Sequence, residues 1–103
     1  MSAKQVFTDQ TSDGSSLEFN ANNVNPNQKQ DPFLAIKGEF DGATVTLEYQ
    51  DPNGDWDATD PVEDIWTVGK LQPLYLNSFG SYRLTITNAG GSTSINAWLL
   101  GIN

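Results

Sequence analysis

The sequence contains no cysteine and no histidine. Without cysteine there is no disulfide framework, no thiolate zinc site and no thiol nucleophile. Without histidine the usual general base and the commonest transition-metal ligand are both missing. Enzymes that work with carboxylates alone remain conceivable, but the expectation is a non-enzymatic protein with no cofactor. Basic residues are also scarce. Five lysines and arginines against 13 acids leave a net charge of −8, which argues against nucleic acid and against an anionic membrane surface as partners. Long apolar runs are absent, and the opening "MSAKQVFTDQTSDG" has none of the apolar core of a secretory signal. The expectation is a protein made in a cytoplasm.

Helical periodicity is missing as well, and strand patterns punctuated by turns take its place. At 103 residues the chain is one domain, able to bury roughly 60–65% of the surface its unfolded form exposes. "KQVF" (4–7) reads as a strand or a peripheral arm, and "SSLEF" (15–19) as a short strand. From Asn20 to Pro32 the chain is polar and Asn-rich, a long loop or extended arm. "FLAIKGEF" (33–40) is a strand with a bulge or close packing near Gly38. Asp41–Gly42 is a two-residue hairpin signal. In "ATVTLEYQ" (43–50), Ala43, Val45, Leu47 and Tyr49 alternate with Thr44, Thr46, Glu48 and Gln50, so one face is buried and the other wet. "DIWTVG" (64–69) and "LYLNS" (74–78) are further strands. "SYRLTITN" (81–88) points Tyr82, Leu84 and Ile86 inward, and "TSINAWLLGI" (93–102) closes the chain. The pattern predicts an all-β fold. It is a single antiparallel β-sandwich or jelly-roll-like domain of six to eight short strands, with an N-terminal arm and loop over 1–32 and the sandwich over 33–103.

The richest local pattern is "DPNGDWDATD" (51–60). Asp51, Asn53, Asp55, Asp57 and Asp60 suggest a calcium loop, which needs oxygens at relative positions 1, 3 and 5, glycine at 6 and glutamate at 12. Asp51, Asn53 and Asp55 fit the first three. Position 6 is Trp56 and position 12 is Val62, so the two most diagnostic positions fail. A plain turn explains more: Pro52 suits position i+1, Asn53–Gly54 suits positive φ, and Trp56 begins a return strand. Were an ion bound irregularly, its ligands would come from Asp55, Asp57, Asp60, Glu63 and Asp64. Six acids and no base between Asp51 and Asp64 imply a solvated segment, or a surface that docks on a basic partner.

Trp56, Trp66 and Trp98 could offer a sugar-stacking platform, but a small sandwich also needs large side chains in its core or at an interface. Trp98 lies in "AWLLGI" (97–102), which is apolar on both faces and therefore central or at a subunit contact. The carboxylates cluster in one segment with no second set facing them, so no glycosidase pair is present.

From Gly38 to Ile102, "GEFDGATVTLEYQDPNGDW" followed by "YRLTITNAGGSTSINAWLLGI" resembles small structural proteins of tailed bacteriophages, of the capsid decoration (cement) or head-fibre type. The resemblance covers about two thirds of the chain and leaves out residues 1–32. It implies a virion protein at the capsid surface that binds the assembled major capsid protein and stabilises the head by mass action. It also implies a homo-oligomer, a trimer being favoured, whose repeated patch raises avidity. Contact candidates are Val6, Phe7, Val24, Phe33, Trp56, Asp57, Asp60 and Trp66. The competing expectation is a carbohydrate-binding or adhesion module of a phage tail or head fibre, with Trp56 and Trp66 as its surface. A third is a calcium-stabilised β domain.

Overall fold

The computed structural model describes residues 2–20, 33–60, 63–74 and 81–102. Among these residues ten strands are divided between two antiparallel sheets. They are β1 Ser2–Gln10, β2 Gly14–Ser15, β3 Phe19–Asn20, β4 Phe33–Glu39, β5 Thr44–Gln50, β6 Trp56–Ala58, β7 Ile65–Trp66, β8 Lys70–Pro73, β9 Ser81–Thr87 and β10 Ser94–Ile102. One sheet has the order β1-β10-β4-β8; the other runs β2-β9-β5-β6, with β3 also on β9 and β7 also on β5. Their inner faces meet in one core that includes Phe19, Leu34, Ile36, Val45, Leu84, Ile86, Ile95 and Leu99. The fold is the expected all-β sandwich, with more strands than expected because several are only two residues long.

The alternation in β5 and β9 holds: Ala43, Val45, Leu47, Tyr82, Leu84 and Ile86 are buried. Tyr49, expected inside, is exposed at 38% although its cross-strand partner Tyr82 is buried. Other expectations need correcting. "SSLEF" is two strands rather than one. The Ser16 hydroxyl takes the Leu84 amide at 3.0 Å, Leu17 and Glu18 turn to solvent, and Phe19 re-enters the core stacked on Tyr82. "DIWTVG" keeps only Ile65–Trp66 as strand, with Thr67 and Val68 in a bend. Lys70–Pro73 forms a strand that the sequence did not suggest; of the strand expected over 74–78, Leu74 is buried just beyond it and the remainder lies outside the described residues.

The Asp41–Gly42 turn forms as expected, with φ of 45° and 85° and the Ala43 amide donating to the Phe40 carbonyl at 2.8 Å. It does not make a hairpin, however. β4 belongs to the four-stranded sheet and β5 to the six-stranded one, so the turn carries the chain across the core. Burial decides this: Phe40 and Ala43 on either side of the turn both insert between the sheets. Gly38 just before it has φ 130°, and a Cβ there would collide with the Ser94 carbonyl. Its register with Ile95 is continuous, so the glycine serves close approach, not a bulge.

Of the two readings of the N-terminus, strand or arm, the structure gives the strand. β1 pairs along β10 with register breaks after Ser2, after Gln5 and after Phe7. The break after Gln5 lets the consecutive residues Val6 and Phe7 both face the core, which a regular strand forbids. Asn96 on β10 anchors the break after Phe7, accepting from the Asp9 amide at 3.0 Å and donating to the Asp9 carboxylate at 3.2 Å. Asp9 itself has φ 44°.

Candidate functional site

Two surfaces stand out, one on each sheet. The first is the acidic side of the six-stranded sheet, built from a hairpin. Asp51 N–H donates to the Asp55 carbonyl at 2.8 Å and Gly54 N–H to the Asp51 carbonyl at 2.9 Å. This is a type I turn closed by a left-handed residue, and Gly54 supplies the positive φ of 90°. The Asp51 carboxylate accepts the Asn53 and Asp55 amides at 2.9 and 3.0 Å, so it is committed to holding the turn. Beyond β6 the chain loops out and returns to the same strand: Thr59 N–H donates to the Leu47 carbonyl, and Leu47 N–H to the Asp64 carbonyl, both at 3.0 Å. Inside that loop, Asp60 accepts the Glu63 amide at 3.2 Å and Asp64 accepts the Thr59 hydroxyl at 2.5 Å. Asp51, Asp60 and Asp64 are thereby half-buried, while Asp55, Asp57 and Glu63 remain exposed. Among the described residues no group of three or more acids is placed to hold a metal ion. Of the carboxylates spaced like calcium ligands in sequence, Asp51 and Asp60 are instead bound to the backbone of their own turns.

Next to this hairpin, the outer face of the six-stranded sheet carries a polar ladder. Arg83 donates to Glu48 at 2.8 Å and its guanidinium lies 4.4 Å from the centre of the Trp56 ring. Thr85 donates to the same Glu48 oxygen at 2.5 Å and meets the Ser15 hydroxyl at 3.0 Å. Trp56 is therefore an anchor packed under a cation. Between the sheets, at the β7–β8 edge, a cleft of about 570 Å³ is lined by Asp60, Glu63, Asp64, Trp66, Lys70 and Gln72. The Trp66 indole donates across it to Gln72 at 2.9 Å, joining the two sheets.

The second surface is the outer face of the four-stranded sheet. Cross-strand register sets Leu71, Ala35 and Trp98 side by side in one row, and Pro73, Phe33 and Leu100 in the next. None of the six is fully buried: Leu71 is 62% exposed and Phe33 40%, while Ala35, Trp98 and Leu100 are half-buried. A shallow depression of about 470 Å³ lies over Ala35, Leu71 and Leu100. Sequence reasoning found half of this face. The two-sided apolarity of "AWLLGI" pointed to Trp98 and Leu100, but "LQP" has no strand pattern that would have exposed Leu71.

The sequence-derived contact candidates scatter over these surfaces and the core. Phe33 is on the outer four-stranded face; Trp56, Asp57 and Asp60 are on the acidic side. Val6, Phe7 and Trp66 are buried, Trp66 with its indole along the cleft at the β7–β8 edge. Their apolar side chains close the core where β1 bulges and where β7 meets β8. Val24 lies outside the described residues.

Charge divides along the same line. The strands of the four-stranded sheet hold three lysines (Lys4, Lys37, Lys70) against two acids (Asp9, Glu39). The rest of the described chain holds Arg83 against ten acids. Compared with known proteins, the chain matches no family model, no curated protein and no solved structure.

Proposed function

We propose that this chain is a non-enzymatic virion structural protein of the capsid decoration kind, which docks its acidic side onto a basic patch of assembled major capsid protein. One observation carries the reading: the acids between Asp51 and Asp64 sit on a hairpin and loop whose own hydrogen bonds hold them in place. A preorganised single-sign surface steers association and selects a complementary partner, and it loses little entropy on binding. Binding to the assembled lattice and not to loose subunits stabilises the shell by mass action. In a homo-oligomer the patch repeats and gains avidity.

Co-sedimentation with isolated capsids tests this directly. The expected result is binding that weakens as salt rises, with heat resistance of the capsid increased. Neutralising the exposed acids together (Asp55→Asn, Asp57→Asn, Glu63→Gln) should weaken binding roughly tenfold, since each exposed ion pair contributes about 0.2–1 kcal/mol. A chain that ignores capsids but binds glycans belongs to the adhesion class instead. The paired platform expected for that class is not on the surface: Trp66 is buried, and Arg83 lies against the Trp56 ring.

A further inference from the structure

We infer that the outer face of the four-stranded sheet is a self-association surface, covered by a second copy of this chain. The patch is apolar and carries no formal charge: Phe33, Ala35, Leu71, Pro73, Trp98 and Leu100 stand in two adjacent cross-strand rows. Aligned apolar side chains on a flat sheet face are the surface that sandwich and dimer interfaces bury.

Charge selects the occupant. A chain of net charge −8 repels its own copies, and the repulsion is concentrated where Arg83 stands alone against ten acids. The four-stranded sheet, with three lysines against two acids, is where two copies approach with least electrostatic cost. On the same sheet the exposed residues Lys37 and Glu39 follow the apolar rows along β4. A two-fold axis through the face turns such a pair of opposite charges into a self-complementary one. Edge-to-edge pairing is disfavoured: β8 is four residues long and ends in Pro73, and β1 is broken by three register shifts. Association is therefore face to face.

This assignment is independent of what the acidic side binds, and salt separates the two. Acid-to-base docking weakens with salt, whereas association through an apolar face of a strongly acidic chain strengthens as salt screens the repulsion between copies. Sedimentation velocity of the full chain at about 20 mM and about 500 mM salt reads the difference, as the Debye length falls from roughly 20 Å to roughly 4 Å. The expected result is a mass above the monomer that grows with concentration and with salt.

Two matched variants locate the surface. Leu71→Glu adds a charge to the patch and should abolish association. Leu17→Glu adds the same charge at a residue that is 69% exposed in the connection between β2 and β3, two strands of the other sheet, and it should lower association only slightly. Because the chain has no cysteine, Leu71→Cys provides a single thiol with little change in shape. Its maleimide labelling should slow as chain concentration and salt rise, while that of Leu17→Cys should not. A monomer at millimolar chain in high salt overturns the inference. So does wild-type association in Leu71→Glu, or labelling of Leu71→Cys that is indifferent to concentration.

Discussion

The Thr93 hydroxyl donates to the Phe40 carbonyl at 2.7 Å, joining two of the points where the chain crosses between sheets. Thr93 also accepts the Gly90 amide at 2.9 Å. Alongside, Asp41 accepts the Ser92 amide and Asp13 the Ala89 amide, each at 2.8 Å. Three crossings (11–13, 40–43 and 88–93) are thus stapled together at one end of the sandwich. That leaves the acidic hairpin and the apolar sheet face free to bind.

Removing the staple should weaken the fold as a whole. Thr93→Val keeps the shape of a buried side chain but removes both hydroxyl bonds, leaving the Gly90 amide without its acceptor and the Phe40 carbonyl with the Ala43 amide alone, a loss of about 1–3 kcal/mol. Urea unfolding should show a lower midpoint with an unchanged slope.

Gly38 and Gly91 make a contrasting pair. Gly38→Ala forces a Cβ onto the Ser94 carbonyl at a φ of 130° and should cost about 3 kcal/mol or more. Gly91→Ala meets nothing within 4 Å, and its thermal midpoint should stay within about 2 °C of wild type.

The Glu48–Arg83 pair is measurable by a double-mutant cycle. Its side chains are 18% and 26% exposed, and the Arg83 guanidinium also covers Trp56. Glu48→Gln and Arg83→Met, singly and together, should give a coupling of about 0.5–1 kcal/mol that shrinks in high salt. A second cycle with Trp56→Leu should report the cation–π part.

Calcium should leave stability unchanged. Asp51, Asp60 and Asp64 are engaged with backbone or hydroxyl groups of their own loops. Melting with millimolar calcium or with EDTA should therefore give midpoints that agree within about 1 °C, where a bound ion would raise the midpoint by mass action. Asp51→Ala should lower stability by about 1 kcal/mol through the turn, equally in both buffers.

Local chemistry was legible in the sequence wherever a rule acts over a few residues. The alternation of Val45 and Leu47, and of Leu84 and Ile86, set the buried faces of β5 and β9, because side chains on a strand repeat every two residues. Asp51 to Gly54 declared a turn, and Asp41–Gly42 declared another, though not the hairpin it signalled. Trp56 and Val62 at the two most diagnostic positions break the calcium-loop spacing. The absence of helical periodicity and of cysteine determined an all-β chain held by its core.

What the tertiary structure alone decided is which strand lies beside which, and therefore which residues share a surface. Asp41–Gly42 has the same backbone geometry whether it closes a hairpin or crosses a core; burial of Phe40 and Ala43 on either side settles the matter. Val6 and Phe7 occupy the interior together only because β1 bulges against β10. Leu71, Ala35 and Trp98 are far apart in the chain and adjacent in the sheet. Register is a long-range property, fixed by the free energy of covering two apolar faces at once, and no window of a few residues contains it.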